Sequence, residues 1–232
     1  MRSRPRGRSI LVAITFLLSG TSVYAHHGRE FLLVQTSHIP EQGGLYGLTR
    51  QDYTQEEHDE VEVEAAFLFG LLDWMAVEVH GHIEKQSRES PNYESTAPAI
   101  HWRFTPRAYA IGVGASVEYE FSNDDEADMV ELSGVRAFEN EDWIAAFNLK
   151  YEKAEGEEEE WGYSAGVRRA VSAGVALGIE ITGTFEDEED GEVLGVIYGD
   201  IGDRLTINGG VGAGFNSDVD LTVGTALIWQ FN

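Results

Sequence analysis

Cysteine is absent from this chain of 232 residues, proline occurs five times, and 16 basic side chains stand against 41 acidic ones. Without cysteine there is no disulfide framework, no thiolate metal site and no thiol nucleophile. The shortage of basic groups is sharper than the totals suggest. The first 25 residues hold four arginines and no acid, leaving twelve basic and 41 acidic groups in the rest, a formal charge of −29. Such a chain repels bare nucleic acid, which is bound through a basic footprint. It also lacks the polybasic face that docks proteins on an anionic leaflet. Long apolar runs are missing too: after residue 25 each is interrupted by Glu, His or Gly, well short of the ~20 residues of a membrane-spanning helix. A net charge of this size accompanies disorder in many chains. Here aromatics make up 11% and 26 glycines are spread along the length, which points to folded structure.

What is present begins with an export signal. Arg2, Arg4, Arg6 and Arg8 form a positive region, Ile10 to Leu18 is apolar apart from Thr15, and Val23-Tyr24-Ala25 places small or modest residues for cleavage before His26. Residues 1–25 therefore read as a secretory signal peptide rather than a span. No cysteine follows the cleavage point, so a lipid anchor is excluded. Residues 26–43 are too short for a domain, and with apolar Phe31–Val34 and Pro40 they either lie in the periplasm or tuck into the rest of the protein as a partial plug.

From about residue 44 to the end the pattern has period two, the mark of strands. Met75, Val77, Val79, Gly81 and Ile83 alternate with Glu78, His80, His82 and Glu84, and the same division recurs along the chain. One face of each strand is apolar, often ending in Trp, Tyr or Phe; the other carries Gly, Ser, Thr, Asn, Glu or His. A secreted sandwich would bury the apolar faces against each other, but it leaves the aromatics at strand ends unexplained. An antiparallel transmembrane β-barrel explains them as girdles around an apolar belt with a polar lumen. The segments number twelve: 44–53, 59–70, 74–85, 96–104, 108–121, 129–138, 143–153, 161–170, 174–186, 192–200, 204–215 and 219–231. Ten is the alternative, because the first is weakly patterned. Tight connections (71–73, 105–107, 139–142, 171–173, 201–203) alternate with longer, mostly acidic ones (53–58, 86–95, 122–128, 153–160, 186–191) and a short 216–218. Periplasmic turns and outer loops of such barrels differ in this way. Arg136 falls on an apolar face, where a bulge would repair the register.

Leu221, Val223, Leu227, Trp229 and Phe231 share one face at the end of the chain. This resembles the terminal-strand signal of Gram-negative outer-membrane β-barrels, which the barrel-assembly machinery reads; Asn232 after the aromatic departs from the pattern. The size, the His26-His27-Gly28 start and the acidic loops further resemble the porin-like MetA-pathway phenol-degradation outer-membrane family. That resemblance implies a pore for small, hydrophobic molecules, set among outer-membrane lipids and lipopolysaccharide.

With the odd face to lipid, the lumen receives Glu62, Glu64, Glu78, His80, His82 and Glu84, joined by His101 and Arg103 if Trp102 faces lipid. A hairpin turning at 71–73 pairs positions summing to 142 or 144, which brings Glu62 near His80 or His82. Imidazole and carboxylate at that spacing form a candidate site for Zn²⁺, Cu²⁺ or Ni²⁺ on His80, His82 and Glu62; the simpler reading is a hydrogen-bonded, solvated wall. The glutamate excess predicts a lumen that prefers cations. His26 and His27 with the terminal amine could chelate copper, or end the chain freely. Acidic runs at 124–128, 155–160 and 186–190 are a solvated rim, or carboxylate oxygens for Ca²⁺ bridging to lipopolysaccharide. The expected function is a channel or small-molecule transporter with a cation-preferring lumen. The alternative is a closed barrel whose acidic loops bind divalent cations, lipopolysaccharide or a partner surface. A third reading is an outer-membrane hydrolase with a rim site at Asp59, Glu94 or His58. No nucleophile, base and orienting group can be assembled, so no catalytic residue is assigned. The glycines of 209–214 lie within a strand and form no phosphate loop.

Overall fold

The computed structural model describes residues 31–55, 60–86, 90–123, 127–185, 191–215 and 221–231. These form twelve strands: β1 Leu45–Gln55, β2 Glu60–Leu72, β3 Met75–Gln86, β4 Asn92–Arg103, β5 Ile111–Ser122 and β6 Met129–Glu139, then β7 Trp143–Ala154, β8 Glu159–Ser172, β9 Val175–Thr184, β10 Gly191–Ile201, β11 Leu205–Gly214 and β12 Leu221–Gln230. Each pairs antiparallel with the next, and β1 closes on β12 from Tyr46↔Gln230 to Gln55↔Leu221, giving a closed barrel. Closure leaves no sheet edge, so every strand can satisfy its main chain within an apolar medium.

The alternation seen in the sequence sets the two faces. Phe67, Phe69, Val79, Ile83, Ile100, Phe147, Ile179, Ile197 and Leu227 point outward and are exposed. Trp74, Tyr109, Trp143 and Trp229 ring the end with the tight turns, and Tyr93, Phe121, Trp161 and Phe215 ring the other. Two aromatic girdles around an aliphatic belt are the outer surface of a transmembrane barrel. Gly174 and Gly202, in tight turns, take φ of 70° and 65°, a left-handed conformation open to glycine at little cost.

Four details depart from the sequence reading. The β2–β3 pairs sum to 146, as in Glu64↔His82, because only Asp73 and Trp74 separate the strands and the register shifts between Gly70 and Leu72. The connection expected at 105–107 runs from 104 to 110, since Pro106 has no amide to extend the ladder and Arg107 turns inward. No bulge interrupts β6. Its ladders to β5 and β7 are continuous through Arg136, which pairs with Val113 and Phe147 on the outward face. Fourth, the inward face is not uniformly polar: Leu48, Leu68, Ile144, Leu194, Val196 and Ile228 also point in.

Arg136 lies two residues inside Phe138, near enough to the tight-turn rim for its guanidinium to reach the interface along its own stem. A lipid-facing arginine costs ~2–4 kcal/mol at the bilayer midplane and ~0–1 near the interfaces. Arg136→Leu should therefore stabilise the barrel by about 1 kcal/mol, read as a higher urea midpoint for unfolding from lipid vesicles. A lower midpoint would mean that the arginine holds a partner that this position does not reveal.

Candidate functional site

The inward apolar patch has an occupant. Residues 31–41, which precede β1, run through the barrel against its inner wall. Phe31, Leu32 and Val34 form one buried cluster with Ala137, Ile144, Ala146, Leu194, Val196, Tyr198 and Ala226, and Ile39 packs with Tyr46, Leu68 and Ala76. Phe31 meets Tyr198 edge-to-face with centroids 5.8 Å apart, and the Arg168 guanidinium lies 5.2 Å from the Tyr198 ring.

Wall side chains hold this segment mainly by its main chain. Glu180, fully buried on β9, accepts the Leu32 amide at 2.8 Å on Oε1 and the Leu33 amide at 2.6 Å on Oε2, while the Tyr198 hydroxyl donates to Oε1 at 2.8 Å. Asn148 on β7 reads Gln35 as a neighbouring strand would: Oδ1 accepts the Gln35 amide at 2.7 Å and Nδ2 donates to its carbonyl at 2.9 Å. Ser164 donates to Asn148 Oδ1 at 2.8 Å and fixes the amide orientation. Further along, Arg103 Nη1 donates to the Ser37 carbonyl at 3.5 Å, and Arg107 Nη2 to those of Ile39 and Pro40 at 2.8 and 3.0 Å. His38 Nε2 lies 3.1 Å from Glu139 Oε2. Glycines make room: a Cβ on Gly166 would sit 2.9 Å from the Phe31 ring, and one on Gly70 would sit 2.0 Å from the Glu41 carbonyl oxygen.

Between this segment and the tight-turn rim lies a cavity of about 780 Å³, bordered by His38, Arg107, Tyr109, Glu139, Arg168 and Asp200. The half of the lumen nearer the loops is different in kind. Asp52, Glu62, Glu64, Glu118, Glu131, Glu152 and Glu192 stand on its inward positions, with Arg50 and Lys150 among them. Arg50 Nε is 2.5 Å from Asp52, and Lys150 Nζ is 3.3 Å from Glu131 and 3.9 Å from Glu152.

All eight residues expected in the lumen are on the inward face, but they separate into groups. Glu62 takes His82, with Oε1 2.7 Å from Nδ1. Glu78 lies between His80 (Oε1 to Nδ1, 3.4 Å) and His101 (Oε2 to Nε2, 2.8 Å). Glu64 lies beside the Glu78–His80 pair, whereas Glu84 pairs with Glu62 further toward the loops. Arg103 belongs elsewhere, at the tight-turn end, where Nε donates to the Thr105 carbonyl at 2.8 Å. Donor atoms converge on Glu64, Glu78 and His80 rather than on the trio His80, His82 and Glu62. Glu118, Asn148, Glu180, Tyr198 and Arg107 were not singled out from sequence, although parity alone puts the first four inside. Of the remaining candidates, His26, His27, His58, Asp59 and acidic positions 124–126 and 186–190 lie outside the described residues. Among the described residues no histidine faces outward.

No family model and no curated relative matches the chain. Solved structures share its fold. The COG4313 outer membrane channel from Pseudomonas putida F1 superimposes with a TM-score of 0.66 at 9% identity, over 84% of this chain and 97% of that one. The KdgM porin in complex with disordered oligogalacturonate gives 0.60 at 6% identity, over 80% and 99%. Outer membrane phospholipase A from Escherichia coli gives 0.50 at 12% identity, over 85% and 94%. At these identities the likeness shows an outer-membrane barrel fold alone.

Proposed function

We propose that this chain is an outer-membrane pore for small solutes with a preference for cations, and that residues 31–41 act as an internal plug that governs passage. On this reading residues 1–25 are removed on export to a Gram-negative outer membrane, and the barrel assembles there through its C-terminal strand. The observation that carries the proposal is the division of the lumen. Carboxylates line its loop-side half, while the stretch of chain before β1, bound through its own peptide groups, crosses the lumen and leaves a cavity between itself and the tight-turn rim. A wall of one charge sign with low-dielectric sides concentrates counter-ions and sets selectivity. A segment tethered at β1 and otherwise held to the wall by hydrogen bonds, apolar contacts and the His38–Glu139 pair can leave without breaking the barrel. Two of the three structural relatives named above are called a channel and a porin, in keeping with this reading.

The test compares two refolded chains in planar bilayers under a salt gradient, one beginning at His26 and the other at Gly43. The longer chain should be closed for most of the record. The shorter should conduct steadily, at several times the time-averaged current, with cation selectivity that falls when Glu131 and Glu152 are both changed to Gln. A shorter chain that is folded and silent would refute the pore. Equal currents from the two would refute the plug.

A further inference from the structure

We propose that Glu64, Glu78 and His80 bind one divalent transition-metal ion of the zinc class inside the barrel wall. Nothing in this inference requires that the barrel conduct. One ligand atom from each residue lies within 4.8 Å of the other two, and all three side chains are buried. The arrangement has features that a merely hydrogen-bonded cluster does not need. The Glu78 Oε1 to His80 Nδ1 separation is 3.4 Å, long for a hydrogen bond between such groups. It matches the roughly 3.3 Å between two ligands each ~2.0–2.1 Å from one tetrahedral ion.

Both ligands are also held from behind. His80 Nε2 is 3.1 Å from Glu118 Oε1; in the tautomer that carries its proton on Nε2, that N–H donates to the carboxylate and Nδ1 presents a lone pair toward Glu78. Glu78 presents Oε1 to this point, while its other oxygen, Oε2, lies 2.8 Å from His101 Nε2. A carboxylate behind the ligating imidazole and a donor behind the ligating carboxylate are the outer-shell contacts that orient metal ligands. An ion there would be held on β2 and β3 and braced from β4 and β5. Three protein ligands leave a fourth position for water. The less buried Glu62–His82 pair, further toward the loops, forms a polar approach.

The test uses the full mature chain, refolded in detergent, without an affinity tag and with His26 and His27 changed to Ala so that the terminus contributes nothing. Co²⁺ should bind at one equivalent, with the intense visible bands of a four-coordinate ion, and Zn²⁺ should displace it stoichiometrically. Glu64→Gln and Glu78→Gln should each weaken binding by at least about 100-fold, and Glu118→Gln by ~10–100-fold. Glu62→Gln should leave it unchanged. Should one ligand variant fail to refold, as judged by its electrophoretic shift on heating, the other reads the same site from the neighbouring strand. The proposal falls if the folded protein takes up no stoichiometric Co²⁺, or if Glu62→Gln abolishes binding that Glu64→Gln leaves intact. A silent barrel that binds cobalt keeps this site and loses only the pore.

Discussion

Glu180→Ala should release the first part of the inner segment while leaving the barrel folded. The wild-type carboxyl accepts three hydrogen bonds, from the Leu32 and Leu33 amides and the Tyr198 hydroxyl, with no exposed surface of its own. Alanine offers no acceptor. Each buried donor left without one costs ~1–3 kcal/mol, so with three donors the seated arrangement loses about 3–9 kcal/mol relative to one in which water reaches these groups. The wall does not depend on the contact, because β9 keeps its ladders to β8 and β10 through main-chain groups. The absence of native cysteine makes the readout clean. A single Val34→Cys should react slowly with a small aqueous thiol reagent in the parent and about 100-fold or more faster in the Glu180→Ala background, each 1.4 kcal/mol being tenfold. If the rate is unchanged, the apolar packing of Phe31, Leu32 and Val34 and the Asn148 and arginine contacts hold the segment without Glu180, which is then a passenger.

Gly70→Ala should act at the other end, by overlap rather than by loss of a bond. A Cβ at Gly70 would fall 2.0 Å from the Glu41 carbonyl oxygen and 2.8 Å from that of Pro40. Both are main-chain atoms, which have no rotamer in which to retreat. The chain there is also pinned by hydrogen bonds from the Gly43 amide to the Gly70 carbonyl (2.7 Å) and from the Gly70 amide to the Gly44 carbonyl (2.9 Å). Residues 39–41 must therefore shift, and the Arg107 bonds to Ile39 and Pro40 shift with them. Overpacking of this kind costs ~1–3 kcal/mol or more. Ile39→Cys should become about 10–100-fold more reactive in this background, with Val34→Cys little changed, the reverse of the pattern expected for Glu180→Ala. Equal acceleration at both positions in both backgrounds would show that the segment leaves as one cooperative unit.

The barrel was legible because two physical requirements coincide along each strand. Lipid demands an apolar side chain at alternate positions, and the lumen tolerates polar or small ones between them. Where a second demand overrode this alternation, the sequence misled. At Leu194 and Val196 the inward positions are apolar too, because Leu32 and its neighbours cover them. The run Val193–Tyr198, apolar or glycine throughout, carries the signature of a strand buried on both faces. Arg136 looked like a register fault because parity has no account of how far a long side chain reaches. The imidazole and carboxylate groups of β2 and β3 were visible as a set, whereas Glu118 was not, since its contact with His80 depends on how β4 and β5 curve past β3. Asn148 and Glu180 were hidden for a similar reason. Each is one polar residue among many on the inner wall, and its partner lies more than a hundred positions earlier in the chain.

That separation bears on the order in which the chain folds. The inner segment precedes every strand in the chain, yet its acceptors on β7 and β9 lie 113 and 148 residues downstream. Contacts between such distant positions form slowly, since so much intervening chain must be organised first. Phe31, Leu32 and Val34 therefore stay uncovered until the strands that bury them, β6, β7, β10 and β12, are in place. Docking is complete only when the wall that receives it already stands.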